Sequence, residues 1–243
     1  VGMGGATDAT NLIRKPLVSV LTSISMDHMG FLGNTLGEIA EHKAGIIKPG
    51  CTVVSASQQP EAAVSVWKKA EQEGCELICV EPEKIKIEKR GLEGQIFSYK
   101  EHAQVEIALA GEYQFLNGAL ALEVLDELKR KGYEIPEEAL KAGMKKTVWL
   151  GRFSAIARDP LFIVEGAHNR DAARVFRDSV ERDLPGKRLI FIMGVLADKE
   201  YEEVVRQTVS LAAEVITVMT PDNPRALPAE ELANTVKKYN SHV

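Results

Sequence analysis

Cysteine is scarce in this sequence. Three occur in 243 residues, Cys51, Cys75 and Cys79. A small, odd number excludes a disulfide-stapled secreted scaffold and fits a reducing cytosol. Cys75 and Cys79 stand four apart with no further cysteine or neighbouring histidine, so they read as core or surface thiols rather than zinc ligands. Long hydrophobic runs are missing too. The longest, about Leu189 to Ala197, falls well short of the roughly 20 residues that span a bilayer, so no membrane is expected as a partner. Positive charge is not in excess: the net charge of −5 leaves no basic footprint for nucleic acid. No secretory signal is visible, and the expected location is cytoplasmic. There is no internal repeat and no low-complexity segment. The phosphate-loop pattern G-x-x-x-x-G-K-[ST] is also absent. The only Gly-Lys pair, Gly186-Lys187, is followed by Arg188 and has no glycine at the right place upstream. What remains is an ordinary globular composition, 45% hydrophobic and 27% charged, long enough for one or two domains.

The first fifty residues hold three polar segments in an apolar frame: Gly4 to Asn11, Ser23 to His28, and Glu41 to Ile46. Leu17 to Ile24 is β-branched-rich without clean alternation, as in a parallel strand buried on both faces. Polar residues follow it, Ser25-Met26-Asp27-His28, where an open α/β sheet keeps its site. Thr35-Leu36-Gly37-Glu38 has the spacing of a capping box, and Gly45 stops the helix it starts. Leu36, Ile39, Ala40 and Ala44 form that helix's apolar face, and Lys43 falls on the same side. Lys43 reads in two ways: its stem packs while the ammonium reaches water, or it is partly desolvated and reactive toward carbon dioxide. The resulting carbamate is an oxygen ligand for a hard cation. His28 alone is equally well a core or capping histidine. Gly4-Gly5 reads as a turn first and as a close backbone approach second. Asp8 and Asn11 read as turn or cap residues.

Further on, Cys51 to Ser55 and Glu76 to Val80 read as strands around a helix from Pro60 to Gly74, a β-α-β rhythm. That helix has Ala62, Ala63, Val66, Trp67 and Ala70 on one face, with Trp67 expected in the core. Between Pro82 and Leu109 short alternating strands with a Gly91-to-Gly94 turn suggest a small antiparallel sheet, the last strand at Val105 to Leu109. A helix is expected from Ala119 to Lys131, with Asn117 at its N-cap, and another from Pro136 through Lys145. Lys146 to Leu150 reads as a linker. Leu161 to Glu165 is a strand, and Asn169 caps a helix from Arg170 to Arg182. Strand, short polar loop and helix N-terminus suit an anion. Strands at Leu189 to Met193 and Glu214 to Met219 frame a helix from Glu202 to Ala213, and Ala229 to Tyr239 is the last helix. The class is α/β.

Several segments together resemble the folylpolyglutamate synthase/dihydrofolate synthase family, a branch of the Mur ligase superfamily. They are Gly4-Gly5 with Asp8-Ala9-Thr10-Asn11; Asp27-His28 with Leu32-Gly33; Lys43-Ala44-Gly45-Ile46; Gln114 and Asn117; Gly151-Arg152-Phe153; Gly166-Ala167-His168-Asn169; and Pro224-Arg225-Ala226-Leu227. They stand in family order along nearly the whole chain.

The resemblance implies a mostly parallel-sheet central ATPase domain, in part, over 1–147 and a truncated, Rossmann-like C-terminal domain over 148–243. It implies an ATP-dependent ligase that activates the carboxylate of a pteroate or folate as an acyl phosphate, which the amino group of L-glutamate then attacks. The cofactors implied are ATP and Mg2+, and the enzyme would be a monomer. Carried over by position, His28 and a carbamylated Lys43 resemble metal ligands, and Asp8 a pterin contact. Asn117, Arg152, Glu165 and His168 resemble the groups around ATP, with Lys43 and His168 as the catalytic pair. The sequence departs from the family where Ala6-Thr7 replace Arg-Leu, Glu165 replaces Asp, and Arg170 replaces Pro. The family's phosphate loop and a metal-binding Glu are expected upstream of Val1, so the chain reads as an internal fragment that is inactive alone. The alternatives are a Mur-type ligase of peptidoglycan synthesis and a non-catalytic nucleotide- or partner-binding module.

Overall fold

The computed structural model describes residues 4–5, 8–26 and 33–243. Asp27, His28 and Leu32 lie outside them. The chain forms two compact units, one of residues 1–108 and 113–148, the other of 109–112 and 149–243.

In the first unit three parallel strands, β1 (Val18–Leu21), β2 (Thr52–Ser55) and β3 (Glu76–Cys79), pair in that order. Helices α1 (Leu36–Ala44) and α2 (Pro60–Gln72) pack on one face, and α3 (Tyr113–Arg130) on the other. Successive residues of β2 serve the two layers. Val53 joins the cluster of Ile39, Ala40, Ala62 and Val66, while Val54 joins that of Phe97, Phe115 and Leu122. The strand buried on both faces is therefore β2. In β1, Ser19 and Leu21 are buried but Val20 is exposed, because β1 is the outer strand of the described sheet.

The capping box forms as its spacing dictates. The Glu38 amide donates to Thr35 Oγ1 at 3.2 Å, and Glu38 Oε2 accepts from the amides of Thr35 and Asn34 at 3.1 and 2.7 Å. The two amides, then the Thr35 hydroxyl, hold the Glu38 carboxyl below its usual range. All four predicted apolar residues of α1 are buried. Against them α2 turns only Ala62, Val66 and Ala70, a narrow i, i+4 stripe. Trp67 lies one position round from Val66 and is 52% exposed, so it is not a core residue; Ala63 is exposed as well.

The antiparallel sheet consists of β4 (Ile85–Lys89), β5 (Gln95–Tyr99) and β6 (His102–Ile107), with the Gly94 amide closing the Gly91 turn at 3.4 Å. β6 starts three residues before the expected strand. Its first residue, the buried His102, meets Asp126 of α3 at 2.9 Å. Helix α3 starts six residues earlier than its polar cap signal suggests, and Asn117 lies inside it rather than at its N-cap. Tertiary packing explains this: Phe115 meets Phe97 edge-on at 5.8 Å, and a Cβ on Gly118 would lie 2.8 Å from Phe97 Cζ. Helix α4 (Glu137–Lys146) follows, with Pro136 before it. Its Gly143 is exposed, with open space where a Cβ would point. Gly143→Ala is expected to stabilise by about 0.5–1 kcal/mol through reduced unfolded-state freedom, measurable by urea denaturation.

In the second unit β7 (Ser154–Arg158) and β8 (Leu161–Val164) form an antiparallel pair, and β7 is a strand that no pattern in the sequence announces. Helix α5 (Arg170–Asp183) precedes β9 (Ile190–Met193), α6 (Tyr201–Thr208), β10 (Glu214–Thr217) and α7 (Ala229–Val236). β9 and β10 run parallel, Ile190 opposite Glu214, over a core of Val205, Val209, Val215, Leu232 and Val236. Helix α6 ends at Thr208, five residues short of expectation, in a 3-10 turn from Val209 to Leu211. Asn240 caps that turn, donating to the carbonyls of Val209 and Ala212 at 2.8 Å each. Among the described residues no helix is long and apolar enough to cross a membrane.

Candidate functional site

Two clusters, one in each unit, bring together motif residues from separate segments. In the first, Gly4-Gly5, Asp8 and Asn11 lie against the C-terminal end of α1. The Gly5 amide donates to His42 O at 2.7 Å, and Asn11 Nδ2 donates to Gly45 O at 3.2 Å. Asp8 joins the two ends: its amide donates to Gly4 O at 3.1 Å, and its carbonyl accepts from the Asn11 amide at 2.9 Å. A Cβ on Gly5 would stand 2.5 Å from Ile46 N and 2.9 Å from Lys43 O. The second reading of Gly4-Gly5, close backbone approach, therefore holds over that of a simple turn. Two motifs nearly forty residues apart thus form one structure, and Lys43, partly exposed, stands in its frame.

His28 is outside the described residues. Among those described, no group of three or more His, Cys, Asp or Glu side chains is placed to hold a metal. The described side chains around Lys43 therefore do not by themselves make up a metal-ligand set. A cavity of about 470 Å3 opens at the other end of α1, lined by Met26, Asn34, Thr35, Leu36 and Pro60. Lys43 lies seven residues, about 10 Å of helix, from that end, so the cavity is not the Lys43 cluster.

Asn117 sits in the second turn of α3. Its Nδ2 donates to Oε1 of the buried Gln114 at 3.0 Å, which makes one unit of the two motif residues.

The second cluster joins Gly151-Arg152-Phe153 to the loop between β8 and α5. The Gly166 amide donates to Gly151 O at 2.9 Å, and Glu165 Oε2 accepts from the Phe153 amide at 2.8 Å. Burial pushes the Glu165 carboxyl above its usual range, against the pull of the Phe153 amide, of Arg152 and of the Gly166 and Ala167 amides. Phe153 itself is buried, at φ +49, and meets Phe176 of α5 edge-on at 6.1 Å. A Cβ on Gly166 would lie 3.3 Å from Arg152 Nη1, so the guanidinium lies close against that glycine. His168 is exposed, with Nδ1 2.8 Å from Gly166 O. Asn169 caps α5 as expected, accepting from the Ala172 amide at 2.9 Å. A guanidinium set against the loop that leads, three residues on, into the capped N-terminus of a 14-residue helix suits a phosphate.

Asp198 belongs to none of the sequence motifs. It lies past the carboxyl end of β9 and holds Arg225 of the Pro-Arg-Ala-Leu motif at 3.0 Å, while the Ala197 amide donates to Arg225 O at 2.8 Å. Position past a parallel strand's carboxyl end was the available signal.

Residues 1–125 match the family model for the Mur ligase middle domain, and 151–243 that for the Mur ligase glutamate ligase domain. The chain is 34% identical over 235 residues to a folylpolyglutamate synthase of Lacticaseibacillus casei, covering 94% of this chain and 54% of the relative. It is 32% identical to a dihydrofolate synthase/folylpolyglutamate synthase of Bacillus subtilis, covering 95% and 55%. The chain thus spans about half the length of the curated relatives it matches. Among solved structures it resembles a folylpolyglutamate synthase of Mycobacterium tuberculosis complexed with ADP and AMPPCP, with a TM-score of 0.84 at 26% identity over 98% of this chain and 55% of that one. It also resembles a folylpolyglutamate synthase–AMPPCP–folate complex, with a TM-score of 0.79 at 32% identity over 88% and 53%.

Proposed function

This chain belongs to the Mur ligase family, and from that premise we propose that it is part of an ATP-dependent ligase joining L-glutamate to a folate or dihydropteroate. The observation that carries the reading is the pairing of motifs in space: Gly4-Gly5 and Asn11 on the backbone that bears Lys43, and Arg152 beside the loop of His168. Each unit contributes one part. Residues 1–147 supply the central domain and 148–243 the C-terminal domain.

The Arg152 guanidinium grips a phosphate of ATP, and His168 and Asn117 contact the nucleotide. Asp8 positions the pterin. His28 and a carbamylated Lys43 would hold Mg2+, which would supply positive charge to neutralise the phosphoryl group. The substrate carboxylate attacks the γ-phosphorus and ADP leaves. The glutamate amine then attacks the acyl carbon, loses a proton, and phosphate leaves. Exclusion of water protects the acyl phosphate from hydrolysis. The enzyme works in the cytoplasm as a monomer.

The test is a coupled ADP-release assay on a polypeptide that contains this chain and spans the length of its relatives, with dihydropteroate or tetrahydrofolate, L-glutamate and magnesium. ADP release that requires both pterin and glutamate is expected. Lys43→Ala should lower it by about 100-fold or more, the scale of a lost charge-stabilising group. Turnover only with a peptidoglycan precursor would replace this reading with a Mur-type ligase. No turnover with either would favour a binding module.

A further inference from the structure

We propose that Glu165 is a positioning residue: its carboxylate clasps the Phe153 amide and so holds the Gly151–Phe153 turn with the Arg152 guanidinium set against Gly166. The inference rests on the ligase reading only where Arg152 meets phosphate. The resemblance implies a nucleotide contact for this acid; in the structure one of its oxygens, Oε2, is taken up by the Phe153 amide, 2.8 Å away.

Three further observations show why the turn needs a clasp. Phe153 has φ +49, a backbone region that L side chains rarely adopt. Its ring is buried against Phe176, so it cannot relax without leaving the core of the second unit. Gly166 leaves room for the guanidinium, since an added Cβ would stand 3.3 Å from Arg152 Nη1 and 3.2 Å from Gly151 O. The two segments are thus tied by Glu165 to Phe153 and by the Gly166 amide to Gly151 O, with Arg152 between the ties. The longer side chain spans the distance; aspartate at this position would fall about one methylene short.

The experiment compares the unsubstituted protein, Glu165→Asp and Glu165→Gln. In the 243-residue chain, hydrogen exchange of the Phe153 amide and the order of the Arg152 Nε–H group are read by NMR, with the melting temperature as a check on folding. Glu165→Asp is expected to speed Phe153 exchange about tenfold and to disorder the Arg152 Nε–H, as for a lost charge-assisted hydrogen bond. Glu165→Gln keeps the reach and one acceptor oxygen, and should restore most of the protection. In the ligase assay, Glu165→Asp should raise the KM for ATP about tenfold with little change in kcat. Equal Phe153 protection and an ordered Arg152 in Glu165→Asp would overturn the proposal. So would a fall in kcat at constant KM, which marks a direct role in chemistry. Absence of turnover in the unsubstituted protein would count against the ligase reading instead, and the resonances would still decide whether Glu165 positions Arg152.

Discussion

Gly5→Ala is expected to destabilise the first unit by about 3 kcal/mol, the upper part of the range for forced overpacking. The new Cβ would stand 2.5 Å from Ile46 N, 2.7 Å from Gly45 C and 2.9 Å from Lys43 O. All three are backbone atoms, so no flexible side chain can move aside. Either the Gly4–Gly5 turn lifts and loses the bond from the Gly5 amide to His42 O, or the end of α1 shifts and takes the Lys43 backbone with it. Calorimetry should show a melting temperature lower by about 6–12 °C for a chain of this size. If α1 shifts, turnover in the ADP-release assay that tests the proposed ligase should fall with it, because Lys43 moves. Gly50→Ala is the comparison. Gly50 has φ +71 and open space around a Cβ, so only the dihedral is strained, at about 1–2 kcal/mol. A melting temperature for Gly5→Ala within about a degree of the parent would mean that the loop does not lie against α1.

Glu127→Gln is expected to cost about 2–3 kcal/mol at neutral pH. Glu127 is buried in α3, yet three donors reach it: Thr52 Oγ1 of β2 at 2.5 Å, Arg130 Nε at 2.6 Å and Lys131 Nζ at 3.0 Å. Arg130 also pairs with Glu76 of β3, so the network fastens α3 across two strands. Removing one member of a buried ionic set costs about 3–5 kcal/mol. The cost here falls at or below the bottom of that range because Arg130 and Lys131 keep access to water.

The pH dependence has a definite sign. Burial by itself would raise the Glu127 carboxyl, but the bonds from Arg130, Thr52 and Lys131 overcome it and hold it at about 2, against an ordinary 4.5. A depressed acid stabilises the fold above the unfolded value and loses that contribution as pH falls through the folded one. The gap between parent and Glu127→Gln should therefore be full above about pH 5 and close between 4.5 and about 2. Urea denaturation at a series of pH values measures it. A gap that stays constant down to pH 2 would show that the charge of Glu127 contributes nothing. Thr52→Val in a double-mutant cycle with Glu127→Gln isolates the bond between strand and helix.

Local chemistry determined much of this protein from the sequence alone. The spacing of Thr35 and Glu38 forces a capping box, Asn169 caps α5, and the stripe of Leu36, Ile39, Ala40 and Ala44 becomes the buried face of α1. The β-α-β rhythm gives the parallel pairing of β1, β2 and β3, and the order of the motifs gives the family. Each of these depends on neighbours within a few residues or on the pattern itself. Tertiary contacts decided the rest. Helix α3 begins at Tyr113 because Phe115 and Gly118 meet Phe97, about twenty residues earlier in the chain, and that contact turns Asn117 from a cap into an interior residue. Trp67 is exposed because α2 offers α1 only a narrow stripe of small residues and one valine. Gly5 against Lys43 and Glu165 against Phe153 are contacts between segments that the sequence keeps apart. No periodicity records which backbone amide a distant carbonyl or carboxylate will meet; only the packed chain brings them within 3 Å.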